Sequence, residues 1–243
     1  MNVIVCGAAG RMGREVICLI EKSAGLSLAA AVDPAGGEGI YQTLRDYTGP
    51  ADVMVDFSHH SAIREITAYC ETRNLPLVVA ATGHTQEETE LIQLAATRIP
   101  VFMSANMSVG VALLAMLVKQ AAAVFHDCDV EIVETHHNRK ADAPSGTALL
   151  LADIVKSERP DALYVCGREG NHKRKSNEIG IHSLRMGNVA GEHEVIFSTD
   201  SQTISLKHQA HDRVLFAEGA VAAAKFIVGK PNGLYRMEDM LEE

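Results

Sequence analysis

Through its first 107 residues the chain alternates short apolar runs with longer segments of helical spacing, and this rhythm restricts the fold more than any other feature. "NVIVCG", "LSLAAAVD", "ADVMVDFS", "LPLVVAAT" and "IPVFMSA" read as strands, while "RMGREVICLIEKS", "HSAIREITAYCETRN" and "TQEETELIQLAATR" place apolar residues three and four apart. The strands are apolar along their length rather than at every second position. Both faces of their sheet must therefore be covered, which predicts a parallel sheet with helices packed on it.

The rhythm then changes. "SVGVALLAMLVKQAAAVF" is a long apolar helix leaving the first domain. "DVEIVETHH" is a strand, "SGTALLLADIVKSE" a helix, and "NEIGIHSLRM", "GEHEVIFST" and "QTISLKHQA" are three further strands. This order predicts a smaller α+β domain with a mixed or antiparallel sheet. "RVLFAEGAVAAAKFIVG" is a final helix, expected to pack back on the first domain. The expected fold class is α/β, with one discontinuous domain from 1–107 and 214–243 and a second from 108–213.

Of the 243 residues, 47% are apolar and 22% charged, as in an ordinary globular protein. A net charge of −9, from 22 basic and 31 acidic residues, argues against a nucleic-acid or anionic-membrane partner. Cys6, Cys18, Cys70, Cys128 and Cys166 form no C-x-x-C pair, so neither a disulfide framework nor a zinc site is expected. The N-terminus enters a strand directly and no apolar run reaches the length of a spanning helix, so a cytoplasmic protein is expected.

Two segments carry chemistry. In "CGAAGRMG", Gly7, Gly10 and Gly13 join the first strand to the first helix with the spacing G-x-x-G-x-x-G, a variant of the dinucleotide fingerprint. Its turn, Gly7, Ala8, Ala9, Gly10, Arg11 and Met12, would let a pyrophosphate approach the helix N-terminus; the plainer reading is a tight strand-to-helix turn. Asp33 ends the second strand, where a carboxylate bonds ribose hydroxyls. The following "PAGGEG" has no cation for a 2′-phosphate and Arg11 is the one local cation, so NADH is expected to be preferred over NADPH. Ala80, Ala81 and Thr82, and Ser104, Ala105, Asn106 and Met107, follow later strands at the ligand-binding edge.

The second segment is "ETHHNRKADAPSGTALLLAD". It gathers His136, His137, Arg139 and Lys140, then turns through Pro144, Ser145, Gly146 and Thr147 into a helix. Pro144 suits a helix start, and the N–H groups and hydroxyls after it suit a carboxylate. Metal binding with Glu134 is a poor match, because neighbouring strand residues diverge. A purely structural turn capped by Ser145 or Asp142 remains open on these residues alone.

"ETHHNRKADAPSGTAL" closely resembles the signature E-x-H-H-x-x-K-x-D-x-P-S-G-T-A of the 4-hydroxy-tetrahydrodipicolinate reductase family. "GAAGRMG", "GIHSLRMGNVAGEHEVIF" and "HDRVLFAEGAV" are similar to other segments of that family in the same order. The resemblance implies a Rossmann-type dinucleotide-binding domain, a substrate-binding and oligomerisation domain with a mixed sheet, and a homotetramer. It implies NAD(P)H-dependent reduction of a cyclic dicarboxylate, with loss of water, on the route to diaminopimelate and lysine. His136 is then the acid/base and Lys140 the second proton donor, with His137, Ser145, Gly146, Thr147 and Arg213 holding the substrate. The turn from Gly7 to Met12, with Asp33, Ala80 to Thr82 and Ser104 to Met107, lines the cofactor. Domain closure would hinge near Ser104 to Val109 and Ala210 to Arg213. The competing readings are a non-catalytic dinucleotide sensor and a dehydrogenase of another small dicarboxylate.

Overall fold

The computed structural model describes residues 1–242 and divides into two compact units. The first comprises Met1–Val109 and the chain from Val214 onward; the second is Gly110–Arg213.

In the first unit, β1 (Asn2–Cys6), α1 (Arg11–Lys22), β2 (Ser27–Val32), β3 (Ile40–Tyr41), β4 (Val53–Asp56), α2 (Ile63–Arg73), β5 (Leu77–Val79), α3 (Gln86–Ala96) and β6 (Pro100–Met103) follow one another. Between the units' chain segments comes α4 (Val109–Val124). The second unit continues with β7 (Asp129–His136), α5 (Gly146–Glu158), β8 (Leu163–Cys166), β9 (Glu178–Arg185), β10 (Gly191–Ser198) and β11 (Thr203–Ala210). The chain then returns to the first unit through α6 (Val214–Ile227), β12 (Gly233–Tyr235) and α7 (Met237–Leu241).

The strands of the first unit form one parallel sheet in the order β12-β6-β5-β4-β1-β2-β3. Winding starts at β1 and proceeds outward in both directions, so the order reverses between β1 and β4. That doubly wound, Rossmann-type arrangement leaves a crevice beyond the strand ends at the reversal point. Alternation across the strands decides which helix each residue meets. Ile4, Met54, Leu77 and Val101 pack under Ile63, Ile66 and Cys70 of α2 and Ile92 of α3. α1 packs on β1 and β2, α6 on β4, β5 and β6, and the two helices touch each other. Gly219 lets α6 press onto the loop after β6, since a Cβ there would stand 1.6 Å from the Met107 carbonyl oxygen. Strands β3 and β12, two and three residues long, were not expected because so few residues carry no period.

The second unit contains a five-stranded sheet in the order β11-β10-β7-β9-β8. β7 and β9 are parallel, as are β8 and β9, while β10 runs antiparallel to β7 and β11. It is thus mixed, and β8 is a further strand that the sequence pattern did not reveal. α5 packs on β7, β9 and β10. Its Ala148, Leu151, Ala152 and Val155 join Leu114 and Val118 of α4 and Val130, Ile132, Val195 and Phe197 in one core. Leu151 is fully buried, and its truncation to Ala would cost roughly 2–5 kcal/mol. Val130, Ile132 and Glu134 are the fully buried residues of β7 and alternate with half-buried ones. A carboxylate therefore continues an apolar row. In register across the sheet, Ser183, Glu134, His193 and His208 stand opposite one another.

Candidate active site

At the crevice of the first unit, β1 is followed by Gly7, whose φ is +75°. A Cβ there would lie 2.5 Å from the Phe57 carbonyl oxygen, so the turn tolerates only glycine. Gly13, in the first turn of α1, lets the helix close on the same turn: its Cβ would be 2.1 Å from the Gly7 oxygen. Gly10 is the N-cap of α1 and supplies no side-chain acceptor to the first helical N–H groups. Ala8 is buried and Arg11 exposed.

Asp33, just past β2, reaches this turn. One carboxylate oxygen accepts from the Ala9 N–H at 3.1 Å and the other from the Ala35 N–H at 2.9 Å. A turn closed by glycines, a helix start without a side-chain cap and a carboxylate at the next strand end are the groups a dinucleotide calls for.

A cavity of about 390 Å³ opens at the same edge. Met12, Ala80, Ala81, Thr82, Ala105, Asn106 and Met107 line it, which brings the turn after β1 together with the loops after β5 and β6. Ser104 supports the last loop, its hydroxyl donating to the Asn106 carbonyl at 2.8 Å. Sequence reading missed Phe57, Ser58, His59 and His60, which follow β4, and Phe216 of α6. The rule that ligands gather at strand ends would have found the first four. The Asp56 carboxylate shapes their loop by accepting from the Ser58 N–H and hydroxyl at 2.8 and 2.5 Å. Burial raises the Asp56 pKa despite those bonds. The His59 and His60 rings stack 4.1 Å apart, and His60 Nδ1 lies 2.8 Å from a Glu88 oxygen. A larger cavity, about 990 Å³, lies between the 43–48 turn and α2, and no residue singled out from the sequence lines it.

The second unit presents a charged cluster where β7 ends. β7 stops at His136, so His137 belongs to the turn and the two rings need not diverge as strand neighbours would. His136 Nδ1 sits 2.6 Å from Glu134 Oε2. Arg185, from β9, donates to both Glu134 oxygens at 2.8 and 2.7 Å, and Ser145 N–H donates to Oε1 at 3.1 Å. Burial alone would raise the Glu134 pKa, but the bonds from Arg185, His136 and Ser183 overcome it and bring it down to about 2.

The rest of the cluster surrounds that carboxylate. Lys140 Nζ pairs with Asp142 at 2.8 Å, which holds the Asp142 carboxyl below its ordinary range. Asp142 is largely exposed, so this pair is weak and open to exchange for another carboxylate. Arg213 approaches His137 Nε2 at 3.5 Å. Burial, then the charges of Arg139 and Arg213, lower the His137 pKa. Among the described residues, no group of three His, Cys, Asp or Glu could hold a metal ion.

Ser145 is the N-cap of α5, with its hydroxyl accepting from Ala148 N–H at 3.2 Å and lying 3.0 Å from His193 Nε2. Both its polar groups are engaged and it is buried. Gly146 and Thr147 open the helix, and no atom lies within 4 Å of the position a Gly146 Cβ would take, so this N-terminus is open to approach. Pro144 lies at the helix start, immediately before the N-cap, and the Ala143–Pro144 peptide bond is cis.

Arg185, His193 and Gly191 were missed in the sequence. His193 is buried, and desolvation first, then the nearby His136, push its pKa down to about 4. Gly191 gives His136 its room, since a Cβ there would be 3.1 Å from His136 Nε2.

Comparison with known proteins agrees with both halves. The family model described as dihydrodipicolinate reductase, N-terminus, matches residues 1–107, and that described as dihydrodipicolinate reductase, C-terminus, matches residues 110–241. The chain is 40% identical over 247 residues to a 4-hydroxy-tetrahydrodipicolinate reductase of Clostridium tetani, covering 99% of this chain and 97% of that one. It is 42% identical over 248 residues to the protein of the same name from Caldanaerobacter subterraneus subsp. tengcongensis, covering 100% and 99%. Among solved structures, a dipicolinate-bound dihydrodipicolinate reductase from Paenisporosarcina sp. TG-14 shares the fold, with a TM-score of 0.81, 24% identity and 97% of each chain covered.

Proposed function

This chain belongs to the dihydrodipicolinate reductase family and is an NAD(P)H-dependent oxidoreductase, and on that premise we propose how its own residues divide the reaction. The reaction is reduction of 4-hydroxy-tetrahydrodipicolinate to tetrahydrodipicolinate, with loss of water, in diaminopimelate and lysine biosynthesis. The first unit holds the dinucleotide and the second the dicarboxylate.

The turn from Gly7 to Met12 takes the pyrophosphate and Asp33 the ribose. Ala80 to Thr82 and Ser104 to Met107 line the nicotinamide end. The bound nicotinamide supplies the hydride. NADH is the preferred form: residues 34–39 bring no cation to a 2′-phosphate, and the Asp33 carboxylate would repel one.

One observation carries the chemistry: Glu134 ties His136 to the N-cap of α5, and the charges of Arg213, His136 and Lys140 all act on His137. Lys140, Arg213, His137 and the N–H groups of Gly146 and Thr147 bind the two carboxylates of the substrate. Lys140 leaves Asp142 to do so. His136, and after it Lys140, supplies the proton that the ring requires once hydride has arrived.

The face of the mixed sheet opposite α5 carries Val133, Leu184 and Ile196 among ion pairs such as Lys207–Glu192 at 2.9 Å. This is the subunit contact of a homotetramer. Among the described residues no helix is long and apolar enough to cross a membrane.

The decisive assay follows NADH oxidation with freshly generated 4-hydroxy-tetrahydrodipicolinate and with other small diacids as controls. Turnover should be confined to the former, and a lower KM for NADPH than for NADH would overturn the cofactor preference. Arg213→Ala should raise the KM for the dicarboxylate with little change in kcat; an unchanged KM removes Arg213 from the site.

A further inference from the structure

We propose that Glu134, clamped by Arg185, is the positioning residue that fixes the tautomer and proton affinity of His136 and, through its second oxygen, the substrate-binding end of α5. This rests on the reading of His136 as the acid/base group and deepens it.

Glu134 occupies an inward position of β7 that Val130 and Ile132 fill four and two residues earlier, and it is fully buried. Burying a carboxylate there is costly unless every lone pair is used. A bidentate arginine alone would satisfy the charge. Glu134 does more: Oε2 accepts from Arg185 and contacts His136 Nδ1, while Oε1 accepts from Arg185 and from Ser145 N–H. With the Ser183 side chain also bonded to it, the carboxylate has no lone pair left unengaged.

An ionised carboxylate only accepts, so His136 Nδ1 must carry the hydrogen. In neutral His136, Nε2 is then the free lone pair, and in the cation it is the proton to be given. The ring therefore always presents Nε2 as the exchanging atom, the side that Gly191 leaves open. Through Oε1 the same carboxylate fixes the N-cap of α5, whose next residues are Gly146 and Thr147. The acid/base group and the anion site are thereby tied to one atom group.

The charged and titratable groups facing His136 are Glu134 on its own strand, Arg185 from β9, His193 from β10, and His137 and Lys140 from the turn. Glu134 puts a negative charge 2.6 Å from His136 Nδ1, and Arg185 puts a positive charge on the same carboxylate. Their removal should therefore move the pH profile of kcat in opposite directions. A role confined to holding the fold together would give no such opposition.

The experiment measures kcat against pH for the full-length wild type, Glu134→Gln, Arg185→Gln and Arg185→Lys, with ¹⁵N spectra of the His136 ring. In Glu134→Gln, kcat should fall about tenfold or more. The limb governed by His136 should move toward acid by about one pH unit, and Nδ1 should lose its fixed hydrogen. In Arg185→Gln the limb should move toward alkali, and in Arg185→Lys it should stay near the wild-type position. Limbs that stay put or move together, with Nδ1 still protonated in Glu134→Gln, overturn the proposal. Should Glu134→Gln fail to fold, Glu134→Asp keeps the charge but withdraws it by one methylene; an unmoved limb there counts equally against it. If His136→Ala is fully active, the parent reading falls; if it is inactive while the limbs above do not move, only this inference does.

Discussion

The turn after β1 is shaped by side chains that are missing, since Gly7 and Gly13 approach neighbouring backbone to distances that no Cβ could share. The end of β7 is shaped by side chains that are charged and buried, with Glu134 engaged by Arg185, His136 and Ser145 at once. The first site is built mainly of backbone, with Asp33 its one carboxylate; the second is built of paired charges. A site of the first kind is sensitive to added volume and indifferent to protons. One of the second kind is sensitive to charge and to pH. Each prediction below sets one of these sensitivities against the other.

The sharpest separation should come from the charged site. His136→Ala and Lys140→Ala should each lower kcat about 10²-fold or more, while NADH binds with unchanged affinity because its turn belongs to the first unit and both residues to the second. Titration of NADH fluorescence beside steady-state kinetics checks both halves. A weakened NADH affinity, or normal turnover, would break the contrast.

Acid should divide the units next. His193 is buried, with its pKa pushed down to about 4 by desolvation and by His136. Its contribution to stability is complete above the unfolded-state value, near 6.5, and is lost as pH falls toward 4. The loss is roughly 2–3 kcal/mol across that window, and it falls on β10 and the N-cap of α5. Asp56 in the first unit has the opposite sign: burial raises its pKa, so it favours the folded state at low pH and loses that advantage as pH rises. Native-state hydrogen exchange, corrected for intrinsic rates, should show β10 losing protection between pH 6.5 and 4 while β4 does not. His193→Gln should flatten the loss in β10.

Adding volume should reverse the pattern. Gly7→Ala places a side chain at φ +75° and against the Phe57 carbonyl, which costs about 1–3 kcal/mol in backbone strain. NADH affinity should fall about tenfold or more, with the KM for the dicarboxylate unchanged at saturating NADH. A variant that binds NADH normally would mean that the turn can shift without loss, and that its glycines serve helix packing alone.

The same contrast decides what could be read from the sequence. Gly7, Gly10 and Gly13 lie within one turn, so their spacing is local and survives as a motif. Their partner Asp33 is fixed by the rule that places a carboxylate at the next strand end. The second cluster was half legible: His136, His137, Lys140, Ser145, Gly146 and Thr147 stand in one segment. Arg185 is 51 residues from Glu134 and meets it only because β9 pairs with β7 in a particular register. No local pattern encodes that register. In β7 both faces carry apolar residues, Val130 and Ile132 on one and Val133 on the other, so alternation alone could not say that Glu134 points inward. The segment alone leaves Glu134 without a role, whereas in the fold its partners are an arginine, a histidine, the Ser183 side chain and a backbone amide. The residues after β4 went unread for a different reason, since Phe57 to His60 have no spacing of their own and gain meaning only from the strand order.

Gly191 joins the two kinds of construction, and its substitution should have the smallest effect. It is a missing side chain inside the charged site, and β10 brings it beside the end of β7. A Cβ at this position would stand 3.1 Å from His136 Nε2, close enough that the ring must give by a few tenths of an ångström. The ring cannot give freely, because Nδ1 is held 2.6 Å from Glu134. Gly191 has no left-handed backbone angle, so Gly191→Ala introduces no strain of the kind expected at Gly7. The displacement should reach catalysis alone: a shift of 1 Å can cost about 10²-fold, and a few tenths should lower kcat about threefold. NADH affinity and thermal stability should stay at wild-type values. A fall in stability without a change in kcat would mean that the glycine serves the β10–β7 pairing, and that His136 has more freedom than its bond to Glu134 implies.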